Sequence, residues 1–479
     1  MKSGIKISGI TALLSVILTG TVAAQIGKPF IHDPSTIMEC DGKYYTFGTG
    51  GGGLISEDGW TWNSGAVRPG GGVAPDAVKI GDRYYISYAR GTGGHASEVY
   101  VMWTKTLDPE SPDFGFKDET RVAFSDGIED CDAIDPGFLL DPTDGRLWCC
   151  YGTYFGYIRL VELDPKTGKR VEGNEAINIA IDCEAADLEY RDGWYYLLAT
   201  HGTCCDGANS TYNIVVGRSR NVTGPYLDNM GRDMLTGGGK MVLAARNRVM
   251  GPGHFGRFIV EDGVEKMSCH YEADLDLNGR STLGILPLLW KNGWPVAGEN
   301  LREGTYEIES ERRGYSLELV VDFVRMAGGM RGFGRNANEP VKPVPSQELA
   351  DVIDTWPTGN IGVRIGDYMT RPHQKWTITP APDSSGYLGG PYYKIVIAGT
   401  ERALAATADA EVITVPEFTG APEQLWRIDQ LTDGTYRIMP RVVPNSDKKL
   451  ALISIGDSTP TLAEFDMNSD NSKWNFRAH

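Results

Sequence analysis

Basic charge is scarce in this 479-residue chain. Its 46 lysines and arginines face 63 aspartates and glutamates, leaving a net charge of −17. Such a surface repels phosphate backbones and argues against a nucleic-acid partner, while a neutral substrate would not feel that field. Helical periodicity is also scarce, which argues against a helix bundle. After the first two dozen residues no apolar run is long enough to span a bilayer. No Cys-x-x-Cys pairs with matched spacing and no His-Glu-x-x-His occur, which removes the usual signatures of zinc sites and metalloproteases. The eight cysteines include two adjacent pairs, Cys149-Cys150 and Cys204-Cys205. Neighbours on a strand point to opposite faces, so several cysteines are expected to be small buried hydrophobes, with at most two or three bridges.

What the chain does have begins with MKSGIKISGITALLSVILTGTVAAQ: two lysines, a short diluted apolar run, then small residues at Val22-Ala23-Ala24. This reads as an export signal at 1–24, cut before Gln25, with a membrane anchor as the competing reading. Loss of Lys2 and Lys6 would take the charge from −17 to −19. A secreted or periplasmic location follows as an expectation.

An aromatic strand then recurs: GKYYTFGTG (42–50), GDRYYISYA (81–89), GRLWCCYGT (145–153), DGWYYLLAT (192–200) and VEKMSCHY (264–271). Each follows a glycine or acidic turn and alternates, as the second strand of a hairpin does. Upstream of each lies a polar knot: HDP (32–34), APD (74–76), IDP (134–136), CEA (183–185) and GPGH (251–254). Five units of about 54 residues are the size of four-stranded propeller blades. The expected fold is all-β, a five-bladed β-propeller over 25–300, with a β-sandwich as the competing reading. The first strand of each blade lines the axis, so Asp33, Asp76, Asp135, Glu184 and His254 are expected to converge. Gathering carboxylates is costly unless they share protons, bind metal or serve chemistry.

Two tempting motifs read as ordinary turns. GTGGGG (48–53) is not followed by a helix, so a loop is preferred to a dinucleotide site. DLDLNG (274–279) has Ile285, not Glu, at the twelfth position of a calcium loop, so a hairpin turn is preferred.

HDPS (32–35), AIDPGFLLDPTDGRLWCCYGTYFGYIRLVELDP (133–165), GTCCDGANSTYNIVVGRSRNVTGPY (202–226), GPGH (251–254) and STLGILPLLWKNGWPV (281–296) together resemble the family 43 glycoside hydrolases, in particular endo-1,5-α-L-arabinanases. The resemblance implies hydrolysis of arabinan or related pectic side chains with inversion. It implies Asp33 as general base, Asp135 as the residue that tunes the acid's pKa and orients the sugar, and Glu184 as general acid. It places Asp76, Thr153, Tyr154 and Phe155 among substrate contacts, and His254 beside an axial Ca2+ held largely through water. An exo-acting α-L-arabinofuranosidase or β-xylosidase is the alternative within the class, and a non-catalytic glycan-binding protein the alternative outside it.

After Pro295 a threefold pattern begins. QKWTI (374–378), QLWRI (424–428) and SKWNF (472–476) place Trp376, Trp426 and Trp474 at intervals of 50 and 48 residues. This resembles the ricin-type β-trefoil, predicted over 301–479, with an insertion in its first lobe that includes PVKPVPSQELADVIDTW (340–356). The tryptophans are expected to pack the core rather than bind sugar.

Overall fold

A computed structural model describes residues 25–91, 96–125, 132–312, 314–321, 353–368, 370–382, 385–455 and 459–478. The expected export signal and most of the expected trefoil insertion lie outside them. The described elements are strands and short 3-10 turns.

Five sheets follow one another along the chain, as the repeat predicts. The recurrent aromatic segments form the second strands: Lys43–Phe47, Arg83–Arg90, Leu147–Tyr151, Trp194–His201 and Val264–Asp274. Each pairs antiparallel with the strand before it. Alternation buries Tyr45, Tyr85 and Tyr196 in the packing between blades, because successive side chains point to opposite faces. Cys149 and Cys150 obey the same rule, one joining each of two neighbouring core clusters. The ring closes between the fifth blade and the first, where Leu283 N–H donates to the Pro29 carbonyl at 2.8 Å and Ser281 Oγ to the Ile31 carbonyl at 2.7 Å. The hairpin turn read at 274–279 is present, its chain reversing through left-handed Asn278 and Gly279.

The C-terminal unit is a closed six-stranded barrel. Gly304–Ser310, Lys375–Pro380, Tyr393–Ile397, Trp426–Gln430, Tyr436–Pro440 and Trp474–Ala478 pair in sequence, and the last returns to the first. Trp376, Trp426 and Trp474 are fully buried. Their indole N–H groups donate to the carbonyls of Leu317, Leu404 and Leu452, at sequence separations of 59, 22 and 22. The first lobe therefore carries 59 − 22 = 37 additional residues. The barrel is fixed to the propeller by ionic contacts: Arg427 reaches Asp262 at 3.0 Å, and Lys266 lies 3.7 Å from Asp429.

The expectation about cysteine, several buried thiols and at most two or three bridges, holds among the described residues. Cys40, Cys149, Cys150, Cys183 and Cys269 are free and buried, but Cys204 and Cys205 are bonded to each other. The opposite-face rule holds only within a strand, and this pair lies in the loop after Trp194–His201, with Cys205 in the left-handed region at φ 64°.

Candidate active site

The five polar knots share a backbone signature. One residue in each adopts the left-handed conformation: Asp33 (φ 52°), Ala74 (49°), Asp135 (53°), Ala185 (46°) and His254 (50°). Non-glycine residues seldom do so, aspartate and histidine more readily than alanine, and such geometry gathers where a fold aims side chains at a site. These five kinks are the true equivalents around the axis. Glu184 stands one residue before its kink, whereas Asp76 and Asp187 stand two residues after theirs. The sheet registers agree, since Asp76, Gly137 and Asp187 sit opposite Ser87, Cys150 and Leu198.

Asp76, placed by the resemblance among substrate contacts, is engaged within the protein. Its Oδ1 accepts hydrogen bonds from Thr36 N at 3.1 Å and Thr36 Oγ1 at 2.6 Å, and its Oδ2 accepts from Phe138 N at 2.8 Å. Asp76 is a clamp joining the first three blades. Beneath the axis it shares the buried Arg257 with Asp187, whose Oδ1 lies 3.1 Å from the guanidinium; Asp76 lies at 3.8 Å. Glu189 accepts from Phe258 N at 2.7 Å.

Asp33, Asp135 and Glu184 are brought together above this layer. Asp33 lies between two imidazoles, His32 Nδ1 at 2.9 Å and His254 Nδ1 at 3.4 Å, and accepts from Thr49 Oγ1 at 2.6 Å. Burial alone would raise its pKa, but His254 and His32 outweigh that and hold it well below the usual carboxylate range. Asp135 Oδ2 accepts from Ala185 N at 3.2 Å, tying the third blade to the fourth. Burial lifts the Asp135 carboxyl to about 6, with His254 opposing and the Asp33 charge assisting. Burial, then the charge of Asp135, lifts Glu184 to about 8 against a hydrogen bond donated by Tyr212. Three carboxyls thus acquire three different acidities within one pocket, the pattern that divides acid and base roles among identical groups.

His254 is buried on the axis, and its backbone N–H donates to Thr200 Oγ1 at 2.9 Å. Burial would lower its pKa, but Asp33 and Asp135 raise it. Thr153 is buried, donates to Asp132 Oδ2 at 3.2 Å and accepts from Phe155 N at 3.2 Å. The charges of Glu184 and Asp135 reach Tyr154, and Phe155, 72% exposed, meets its ring edge-on at 4.8 Å. That pair offers an aromatic surface beside the acid.

The motif reading missed His32, Tyr212, His270 and Glu272. His270 Nδ1 accepts the Asp33 backbone N–H at 3.0 Å, and its ring stacks on His32 at 4.5 Å. Glu272 lies 3.2 Å from His32 Nε2, and the two histidines draw its pKa down to about 2 against the effect of burial. Strand alternation in SCHYEAD could have shown that His270 and Glu272 share one face. Tyr212 carried no comparable signal.

An open groove of about 630 Å³ runs outward from His32 and Thr49, over Gly52 and between Phe30, Ser64 and Arg280.

Comparison with known proteins agrees with this architecture. Residues 26–295 match the family described as glycosyl hydrolases family 43, and residues 372–458 match the ricin-type β-trefoil lectin domain-like family. The extracellular endo-α-(1→5)-L-arabinanase 1 of Bacillus subtilis is 33% identical over 293 residues, covering 55% of this chain and 87% of the relative. The extracellular exo-α-(1→5)-L-arabinofuranosidase ArbA of Cellvibrio japonicus is 32% identical over 318 residues, covering 59% and 90%. Among solved structures, the α-L-arabinanase of Cellvibrio cellulosa complexed with arabinohexaose is 30% identical, with a TM-score of 0.52 over 56% of this chain and 95% of that one. The exo-1,5-α-L-arabinanase from a bovine ruminal metagenomic library is 32% identical, with the same TM-score over 57% and 97%. With a family match spanning the whole propeller and relatives covered almost end to end, this chain belongs to glycosyl hydrolase family 43.

Proposed function

We propose that the chain is an exported arabinanase that cleaves α-1,5-linked L-arabinofuranose within arabinan by single displacement with inversion. The observation that carries this reading is the graded acidity of Asp33, Asp135 and Glu184 in one pocket, combined with arabinan-cleaving relatives on the same fold. Asp33, held ionised, takes a proton from the attacking water. Glu184, held protonated near neutral pH, gives its proton to the departing glycosidic oxygen. Asp135 keeps that proton in place through its charge and orients the sugar. Two carboxyls on opposite sides of the bond, with room for water, are what single displacement requires.

The groove that opens at His32 and Thr49, both in contact with Asp33, supports internal cleavage, since a polymer needs space beyond the reacting residue. An exo mode is the second reading, supported by the similar identity to ArbA. Digestion of debranched linear arabinan separates the two: a ladder of oligomers is expected, and arabinose alone would establish the exo mode. Proton NMR of the first product should show the β-anomer before mutarotation, and an initial α-anomer would overturn the displacement assignment. Release of sugar only from other plant polysaccharides would overturn the arabinan reading. Export is supported by the extracellular relatives and the signal-like N-terminus.

We propose a Ca2+ ion at the axis near His254, held mainly through water. The carboxylates that raise the pKa of His254 create a negative potential there. Asp33 is already engaged by two imidazoles and Thr49, so a hard cation beside His254 would keep most of its oxygen ligands as water. Bound, it would reinforce the electrostatic field at the cleft floor. Chelation is expected to lower activity and melting temperature together, with both restored by added calcium. If neither changes, His254 serves only as the partner of Asp33. For the trefoil we propose glycan binding that keeps the enzyme near its polymer.

A further inference from the structure

The Cys204–Cys205 bond is poorly explained as a staple. Disulfides stabilise by closing loops in the unfolded chain, and the gain shrinks as the loop shortens. This bond joins neighbours and closes almost none. Its loop is already held by other contacts: Thr203 N donates to Thr211 Oγ1 at 2.9 Å, Ser210 Oγ to the Thr203 carbonyl at 2.8 Å, and Cys205 N to Glu272 Oε1 at 3.2 Å. What the bond does create is a rigid, apolar sulfur surface.

That surface lies at the cleft. The sulfur atoms of Cys204 and Cys205, a ring nitrogen of His32 and a carboxylate oxygen of Glu272 all lie within 4.8 Å of one another. Cys205 is exposed, and His32, 30% exposed at its side chain, stands between it and Asp33. The loop ends at Tyr212, which donates to Glu184. The disulfide therefore stands on the base side of the pocket, while Tyr154 and Phe155 stand near the acid.

We propose that the Cys204–Cys205 disulfide is a sugar-contacting surface that packs against the apolar face of a furanose ring bound beside His32, setting affinity for that unit; this rests on the arabinan reading. Sulfur is polarizable and apolar, and a furanose presents C–H groups on the face its hydroxyls leave free.

The test is a Cys204→Ala/Cys205→Ala double variant, with reduction of the unmodified enzyme by a mild dithiol as a second route. Among the described residues this is the one disulfide and the remaining cysteines are already thiols, so the reductant acts on this bond. KM for linear arabinan should rise about fivefold to tenfold, the effect of losing roughly 50 Å² of apolar contact. The change in kcat should be much smaller, and the alkaline limb of the pH profile should stay in place. Reoxidation should reverse the effect in the reduced enzyme. An unchanged KM overturns the proposal. A fall in kcat with a displaced alkaline limb also overturns it, because the bond would then act by holding Tyr212 against Glu184. If the unmodified enzyme fails on arabinan, the substrate reading fails and this proposal falls with it; if it succeeds and the variants match it, only this proposal falls.

Discussion

Glu184→Gln is expected to lose about a thousandfold in kcat on linear arabinan, within the range a positioned general acid contributes. An amide of the same shape occupies the site but has no acidic proton for the leaving oxygen. The loss should shrink for an arabinofuranoside with a nitrophenolate leaving group, which departs without protonation. The intact enzyme should show an alkaline limb in kcat/KM near pH 8, where Glu184 ionises. Tyr212→Phe removes a donor that favours the carboxylate, so it should move this limb upward. The stability effect has the opposite sign from the activity effect. The folded pKa of about 8 exceeds the ordinary value of 4.5, so the native state holds a proton that the unfolded chain releases between those values. Glu184 therefore stabilises least above pH 8, and the Gln variant, free of that dependence, should melt no lower than the parent at pH 8. Near-parental turnover in the variant would remove Glu184 from the acid role.

The fold was legible because a propeller writes its period into sequence. The pattern of GKYYTF, DRYYISY and GWYYLLAT is that of a strand buried on both faces beside a tight turn, and all five such segments became second strands of blades. The trefoil tryptophans were legible for a similar reason, since a threefold core needs the same large side chain at three equivalent places. Depth along the axis was not legible. In APD and CEA the carboxylates look alike, but the left-handed residue is Ala74 in one knot and Ala185 in the other. This puts Asp76 two residues below its kink and Glu184 one above. That difference lies in backbone conformation, which residue type specifies weakly for alanine. The partners of Asp33 were hidden because His270 and Glu272 come from a strand more than 230 residues away, joined to it only when the ring closes.

Arg257→Met is expected to cost about 3–5 kcal/mol of stability, because it leaves Asp187, Asp76 and Glu189 around a buried space without their shared cation. The Met side chain fills much of the volume, so the loss would be electrostatic rather than a cavity effect. Even beside Arg257, burial raises the Asp187 carboxyl well above its ordinary value and lifts Glu189 from 4.5 to about 7. Without the guanidinium both would rise further and fold as neutral acids. The native state would then bind more protons than the unfolded chain throughout the neutral range, so stability falls as pH rises. The variant should accordingly recover part of its loss between pH 8 and pH 5, measured by thermal or denaturant unfolding. Adding Asp187→Asn should restore part of the loss at pH 8, since it removes a carboxyl that must take up a proton to fold, and the pair should be non-additive as contacting residues are. Equal destabilisation at both pH values, with additive losses, would mean that Arg257 supports the propeller through its packing and not its charge.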